Sequence, residues 1–373
     1  MFKLNKGNAA GPRLGVLHTA HGEVVTPCFM PVGSVGTVKA MAPWDLEEIG
    51  AEIILANTYH LILRPGVDVV TRAGGVHRFI GWNKPILTDS GGYQVVSLGE
   101  NVKITEDAVQ FRSHLDGSPL ILTPEGAIEA QGNLGSDIAM VLDEPVALPQ
   151  ERARVESAMR RTARWAQRCK RTRDERYPSM GLFGIVQGGL ERDLRKESIE
   201  QTSMLDFDGY AIGGLSVGER NEELHEMAEY TAQMLPYDKP RYLMGVGKPT
   251  DIVRAIGYGV DMFDCVLPTR NARNGWLYTR RGALRVKHAK YKHDHTPPDP
   301  NCGCRTCRNF SMSYLRHLYL SGEILAGMLI TRHNLYFYME IIREARKAIE
   351  SGVYEAFADA FSSGMNADDN EEN

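Results

Sequence analysis

The sequence predicts an α/β fold, a (β/α)8 TIM barrel with an inserted hairpin and a zinc-binding subdomain near the C-terminus. Eight short apolar runs lie between Thr26 and Thr269, rich in apolar and β-branched residues and mostly followed by helical patterns. Such runs read as parallel strands buried on both faces. Eight strands close a barrel, and the span is close to the roughly 250 residues typical of that fold. The run ends also collect Asp, Gln and Gly, where a barrel places its chemistry. A doubly wound sheet is the alternative, but no dinucleotide-type GxGxxG follows the first run.

The runs are TPCFMPVG, AEIILANTYHL, KPILTDSGGYQV, DIAMVLDEP, GLFGIVQGG, DGYAIGGLSVG, RYLMGVGKP and MFDCVLPT. Between the third and fourth, VKITEDAVQFRSHLDGSPLILTP alternates and turns at Asp116-Gly117 like a hairpin inserted near residues 101–123. The barrel domain is expected over 11–285. Over 286–352 we expect the zinc-binding subdomain and closing helices packed on the barrel, and over 363–373 a disordered acidic tail.

Composition narrows the function classes. The chain has 373 residues, 43% of them hydrophobic, yet no apolar run of the length a membrane helix needs and no signal-like start. Six cysteines, three of them within 302–307, do not form a disulfide framework, and a reduced cytoplasm fits. The net charge of −4 conceals two basic segments. Residues 151–176 hold ten Lys or Arg against four acids, and the stretch from Asp264 to Asp294 has eight and no acid between. They suggest a localised footprint for a polyanion, although arginines on the helix ERARVESAMRRTARWAQRCKRTRDER can equally be a solvated face.

The run ends supply Asn57 and Thr58, Asp89 to Gly92, Asp143-Glu144, Gln187 to Gly189, Gly213-Gly214, Gly245 with Lys248, and Asp264. Singly each acid reads as a cap or turn residue; together they read as a site. Paired carboxylates suit chemistry at an anomeric carbon, one adding to the sugar and the other moving the proton. Asp264 and Asp89 can face each other across the mouth. Asp143 as acceptor, with Gln187 and the Gly214 N–H as donors, suits the Watson–Crick edge of guanine, and Tyr93 and Met244 can sandwich its faces.

NCGCRTCRNF places Cys302, Cys304 and Cys307 close enough to share a tetrahedral metal. The fourth ligand chosen is His333, with His288, His293, His295 and His317 as competitors. Four protein ligands leave no open position, so one zinc ion per chain is expected in a structural role. A redox use of the thiols is the alternative.

RPGVDVV, GGVHRFIGWNKPILTDSGGYQV, GIVQGG, YAIGGLSVGE, YLMGVGKP, DMFDCVLPTRNARNG and CxCxxC occur in that order, and the chain thereby resembles the bacterial tRNA-guanine transglycosylases over about residues 11 to 350. The resemblance implies a cytoplasmic, homodimeric barrel enzyme with one Zn2+. Such an enzyme replaces guanine at the wobble position of the tRNA anticodon by a 7-deazaguanine on the way to queuosine. Carried over by position, it implies Asp264 as nucleophile and Asp89 as general acid and base. Asp143, Gln187, Gly214 and Leu215 read the base, Tyr93 and Met244 stack on it, and Arg270, Arg273 and Lys248 meet the anticodon stem-loop. Cys302, Cys304, Cys307 and His333 match the zinc ligands. Two departures stand out: Pro145 where Cys is usual, and Ser216 where Ala is common. They bear on the incoming base, for which preQ1 is expected and queuine is the alternative. A non-catalytic tRNA-binding subunit would lose one of the paired acids, and a metal-dependent barrel hydrolase would carry His-rich strand ends.

Overall fold

All eight runs become strands of one closed parallel barrel in the computed structural model, which describes residues 1–93 and 102–365. Three strands precede the barrel: β1 (Phe2–Lys6), β2 (Leu14–Thr19) and β3 (Gly22–Thr26) form an antiparallel sheet. This sheet was not expected. Its half-exposed strands lack the continuous apolar run of a barrel strand.

The barrel then takes β4 (Cys28–Gly33), β5 (Ile54–Ala56) and β6 (Ile86–Thr88). After β6 comes a three-stranded antiparallel sheet of β7 (Val102–Ile104), β8 (Val109–Arg112) and β9 (Pro119–Leu122). The expected hairpin is therefore its β8–β9 half, and β7 adds a strand. The barrel resumes with β10 (Ile138–Met140), β11 (Gly181–Val186), β12 (Gly209–Ile212), β13 (Arg241–Leu243) and β14 (Met262–Cys265). Closure is by β14 on β4, with Phe263 opposite Phe29 and Asp264 opposite Met30. Phe29, Phe183, Phe263 and Met140 are buried in the core. Truncating Phe263 to Ala would cost about 3–5 kcal/mol and loosen the strand that carries Asp264.

Local chemistry sets the element ends. Thr123 caps helix Pro124–Leu134, its hydroxyl accepting from the Gly126 N–H at 2.9 Å with Pro124 in the first turn. Beneath the barrel, Arg13 forks onto Asp261 at 2.9 and 2.7 Å, both fully buried, and Arg241 donates its backbone N–H to the same carboxylate. This ties the N-terminal segment to the entrance of β14. Breaking such a pair from one side is strongly destabilising.

The 25-residue helix Arg152–Arg176 decides between the two readings of its arginines. All ten of its bases lie in ion pairs, with Glu106, Glu125, Glu129, Glu144, Glu191, Asp193, Glu197 and Asp208 from other elements and with Glu156 and Asp174 on the helix. Its charge holds neighbouring elements together and is not an open anion footprint.

After the barrel, helix Leu267–Arg273 leads to the hairpin β15 (Trp276–Thr279) and β16 (Gly282–Arg285). A small second core forms there from Leu277, Val286, Tyr291, Met312, Leu315 and Ile330. The 28-residue helix Ile324–Ser351 packs on both cores, and helix Tyr354–Met365 takes up the first three residues of the expected tail. The remainder of that tail lies outside the described residues.

Candidate active site

A cavity of about 290 Å³ opens at the C-terminal ends of the barrel strands. Asp89, Asp143, Asp264, Tyr93, Met244, Gly214 and Leu215 line it, so seven residues singled out from the sequence meet in one place. Gln187 stands behind them, its amide donating to Asp143 Oδ2 at 2.8 Å. Lys248, Arg270 and Arg273 are exposed outside the cavity wall.

Asp264 ends β14. Tyr242, buried on the neighbouring strand, donates its hydroxyl to Oδ1 at 2.6 Å, and the Gly245 N–H donates to the same oxygen at 2.8 Å. Among the described residues no hydrogen bond reaches Oδ2. Burial pushes this carboxyl above its ordinary range, and the two donors oppose that shift. The neighbouring thiol of Cys265 is pushed up to about 12 by burial and then by Asp264, so it stays protonated and is a poor nucleophile.

Asp89 follows β6. The Thr58 N–H donates to Oδ1 at 2.9 Å, the Gly91 N–H to the same oxygen at 3.3 Å, and the Asn57 amide to Oδ2. Asn57 also caps helix Thr58–Leu63, its Oδ1 accepting from the His60 N–H at 3.0 Å. One side chain thus starts a helix and fixes a carboxylate. Burial raises Asp89 to about 7, with the charges of Asp264 and Asp143 adding to the shift against the backbone donors. A carboxyl near neutrality can give and take a proton at working pH.

Asp143 is likewise raised to about 7 by burial, against donation from Gln187 and from Ser90 Oγ at 3.4 Å. Glycine is required beside it: a Cβ on Gly92 would lie 2.1 Å from Asp143 Oδ1. Gly214 sits at φ 64°, which lays its backbone at the cavity wall. Two residues on, Ser216 adopts φ 60°, uncommon for a side chain other than glycine. Both oxygens of Glu219 accept there, from the N–H groups of Ser216 and Val217. Pro145, Ser216 and Val217 complete that wall.

Sequence reasoning had no role for Tyr242 or Glu219, and it placed Ser90 and Gly245 at run ends without giving either a partner. A tyrosine inside the apolar run RYLMGVG and the acid in LSVGER were the available signals, but their partners are known only once strands are adjacent.

Away from the barrel mouth, Cys302, Cys304, Cys307 and His333 converge with all four ligand atoms within 4.8 Å of one another. The thiol sulfurs lie 3.7, 3.5 and 3.3 Å from His333 Nδ1. A tetrahedral zinc with ordinary Zn–S and Zn–N lengths gives edges of about 3.5 Å, so the residues fit that ion. His333 Nε2 lies 2.8 Å from the Tyr278 carbonyl, which assigns the proton to Nε2 and leaves Nδ1 to face the thiols. A second group, His21, His77 and Asp137, does not fit a shared ion. Its imidazoles stack 3.5 Å apart at 14°, and no point lies in both ring planes where a lone pair could reach a metal. Each ring bonds its own oxygen of Asp137 instead, at 2.9 Å.

A closed barrel with paired carboxylates, an amide and glycine turns at its C-terminal mouth defines an enzyme of the TIM-barrel class. The profile of the queuine tRNA-ribosyltransferases matches residues 8–367. The queuine tRNA-ribosyltransferase of Nitratidesulfovibrio vulgaris is 55% identical over 360 residues, 96% of either chain. Those of Oleidesulfovibrio alaskensis and an Azoarcus species are 55% and 53% identical, covering 92% and 95% of this chain and 91% and 96% of theirs. The chain belongs to the queuine tRNA-ribosyltransferase family, a family of pentosyltransferases. Among the described residues no helix is long and apolar enough to cross a membrane.

Proposed function

We propose that this protein is a tRNA-guanine transglycosylase that exchanges the wobble guanine of an anticodon for a 7-deazaguanine by double displacement. The observation that carries the reading is the convergence of two unlike carboxylates on one cavity: Asp264, with Oδ1 held by Tyr242 and Gly245, and Asp89, raised to about 7.

Asp264 Oδ2 attacks C1′ of the ribose. The C1′–N9 bond breaks as a C1′–O bond forms, and Asp89 supplies the proton that guanine takes away. The incoming base then returns a proton to Asp89 and displaces Asp264, so two inversions restore the β configuration. Asp143, Gln187, Gly214 and Leu215 hold the base edge while Tyr93 and Met244 cover its faces. Arg270, Arg273 and Lys248 meet the anticodon loop. The incoming base is preQ1, with queuine as the alternative; Pro145, Ser216 and Val217 are the wall against which a 7-substituent would rest. Cys302, Cys304, Cys307 and His333 would hold one Zn2+, which when bound ties the subdomain together.

The protein works as a homodimer in the cytoplasm. Support for the dimer comes from exposed Leu320, Ile324, Leu325 and Met328 at the end of helix Met312–Leu320 and the start of helix Ile324–Ser351, apolar side chains that a second copy would cover.

The test is incorporation of radiolabelled guanine into unmodified tRNA bearing guanine at the wobble position. Incorporation by the protein and none by Asp264→Asn is the expected result. Equal label in both, or none in either with zinc bound, overturns the reading.

A further inference from the structure

Arg195 is fully buried on helix Arg192–Ser203, and among the described residues no carboxylate forms an ion pair with it. Burial lowers it to about 10 against the charge of Glu219, which leaves it charged at neutral pH. Four uncharged oxygens stand where a carboxylate would be expected. Nε donates to the Gly189 carbonyl at 2.6 Å, and Nη2 to the carbonyls of Gly213 and Gly214 at 3.1 and 3.4 Å. Nη1 donates to Thr231 Oγ1 at 3.4 Å, whose own proton goes to the Met227 carbonyl at 2.7 Å. A buried cation without a counter-ion loses solvation that an apolar side chain would not, so packing alone does not account for a guanidinium here.

The three carbonyls belong to the two turns proposed above to read the base. Gly189 follows β11 and Gln187, while Gly213 and Gly214 follow β12. The Gly213–Gly214 peptide is trans, so its C=O and its N–H point in opposite directions. Holding the Gly213 carbonyl from behind therefore turns the Gly214 N–H toward the cavity, which Gly214 lines and Arg195 does not. Among the described residues that N–H has no acceptor. A cation on the carbonyl also polarises the peptide and strengthens its N–H as a donor. Gln187 is fixed against the same turn: a Cβ on Gly214 would lie 2.5 Å from Gln187 Oε1.

We infer that Arg195 is a positioning residue for base selection: it never touches the base, but it aims the Gly214 N–H at the 6-oxygen of guanine or of a 7-deazaguanine. The inference rests on the base-reading role given to Gly214 above. On the Watson–Crick edge of guanine the 6-oxygen is the acceptor, and Asp143 takes the donors beside it. A donor that is held and polarised distinguishes a carbonyl from a weaker acceptor, because the wrong partner leaves the N–H unsatisfied in a closed site. The same guanidinium joins the turn after β11 to the turn after β12, so Gln187 and Gly214 keep one spacing.

The experiment measures binding of radiolabelled guanine and of 6-thioguanine, which differs from it only in the acceptor atom, by equilibrium dialysis. It compares the wild type, Arg195→Met, Arg195→Lys and Ile199→Ala, a core truncation on the same helix. Arg195→Met is expected to bind guanine on the order of tenfold more weakly and to lose most of the preference for guanine over 6-thioguanine. In exchange into tRNA its KM for guanine should rise by a similar factor with tRNA affinity kept. Arg195→Lys keeps the charge but cannot span three carbonyls; it should fall between, and it decides alone if Arg195→Met does not fold. Ile199→Ala should melt lower and keep the wild-type preference. Wild-type preference in the Arg195 variants overturns the inference, as does an equal loss in Ile199→Ala. If the wild type binds guanine but exchanges none, and the preference still falls in the Arg195 variants, the transfer reading fails and the role of Arg195 stands. If exchange proceeds and the preference does not move, the role of Arg195 alone fails; if the wild type binds no guanine, both fail.

Discussion

Helix Arg152–Arg176 and the segment from Arg270 to Lys292 look alike in sequence, each a dense run of cations in an acidic chain, and the fold uses them in opposite ways. On the helix, Arg161 and Arg154 meet the fully buried Glu144, and Arg164 and Arg168 reach Glu106 and Glu125 on the inserted sheet and the helix after it. Among the described residues Arg280 is the one Lys or Arg of the later segment in an ion pair, with Glu344. Charge counted along a chain is not charge offered to a ligand. What decides is where acids distant in sequence arrive after folding.

Substitutions can break or sharpen that contrast. The largest effect belongs to the acid at the head of the later segment: Asp264→Asn should lower guanine exchange at least about a thousandfold with tRNA affinity retained, checked by label incorporation beside gel shift. Next, Cys304→Ser should release the metal and lower the melting temperature on the order of 10 °C. It should also weaken tRNA binding, because His333 supports β15 through the Tyr278 carbonyl; metal analysis, calorimetry and binding decide.

Arg161→Met should cost about 2 kcal/mol in denaturant unfolding, since Glu144 loses one of its two partners, and should leave the salt slope of tRNA binding alone. The pocket acids test the contrast from the other side, because Asp89 is half-buried and among the described residues no cation pairs with it. A carboxyl raised to about 7 in the fold favours folding below its ordinary pKa and loses that advantage as pH climbs through 7. Asp89→Asn should therefore melt several degrees higher than the wild type near about pH 8 and nearly level with it near about pH 4, even though it is inactive. The smallest effect is that of Lys287→Ala alone, a shallower salt slope by about one and a few-fold loss of affinity.

The barrel was legible because a strand buried on both faces must be mostly apolar, and each of the eight runs had that property, with Arg241 and Asp264 among the polar exceptions. The β1–β3 sheet escaped because strands such as Phe2–Lys6 are mostly exposed and carry no period strong enough to read. Asp89, Asp143 and Asp264 could be picked out at the run ends, but not Tyr242 as the donor to Asp264, which depends on β13 lying against β14. The arginines of the long helix could not be assigned to a ligand surface or to the fold for the same reason: Glu106 and Glu191 are far away until the chain folds. His333 was chosen among five histidines, and only the fold brings its Nδ1 to the thiols.

Barrel closure also fixes when the site comes into being. β14 pairs with both β13 and β4, so the strand that brings Asp264 is the last to be made and the one that joins the ends of the sheet. Until it emerges from the ribosome, β4 and β13 present bare edges to water and to neighbouring chains. Tyr242 and Gly245 then wait for the carboxylate they will hold. A nascent chain can thus own Asp89, Asp143, Gly214 and Met244 and still lack a finished cavity, and its exposed strand edges close at the same moment that the cavity is completed.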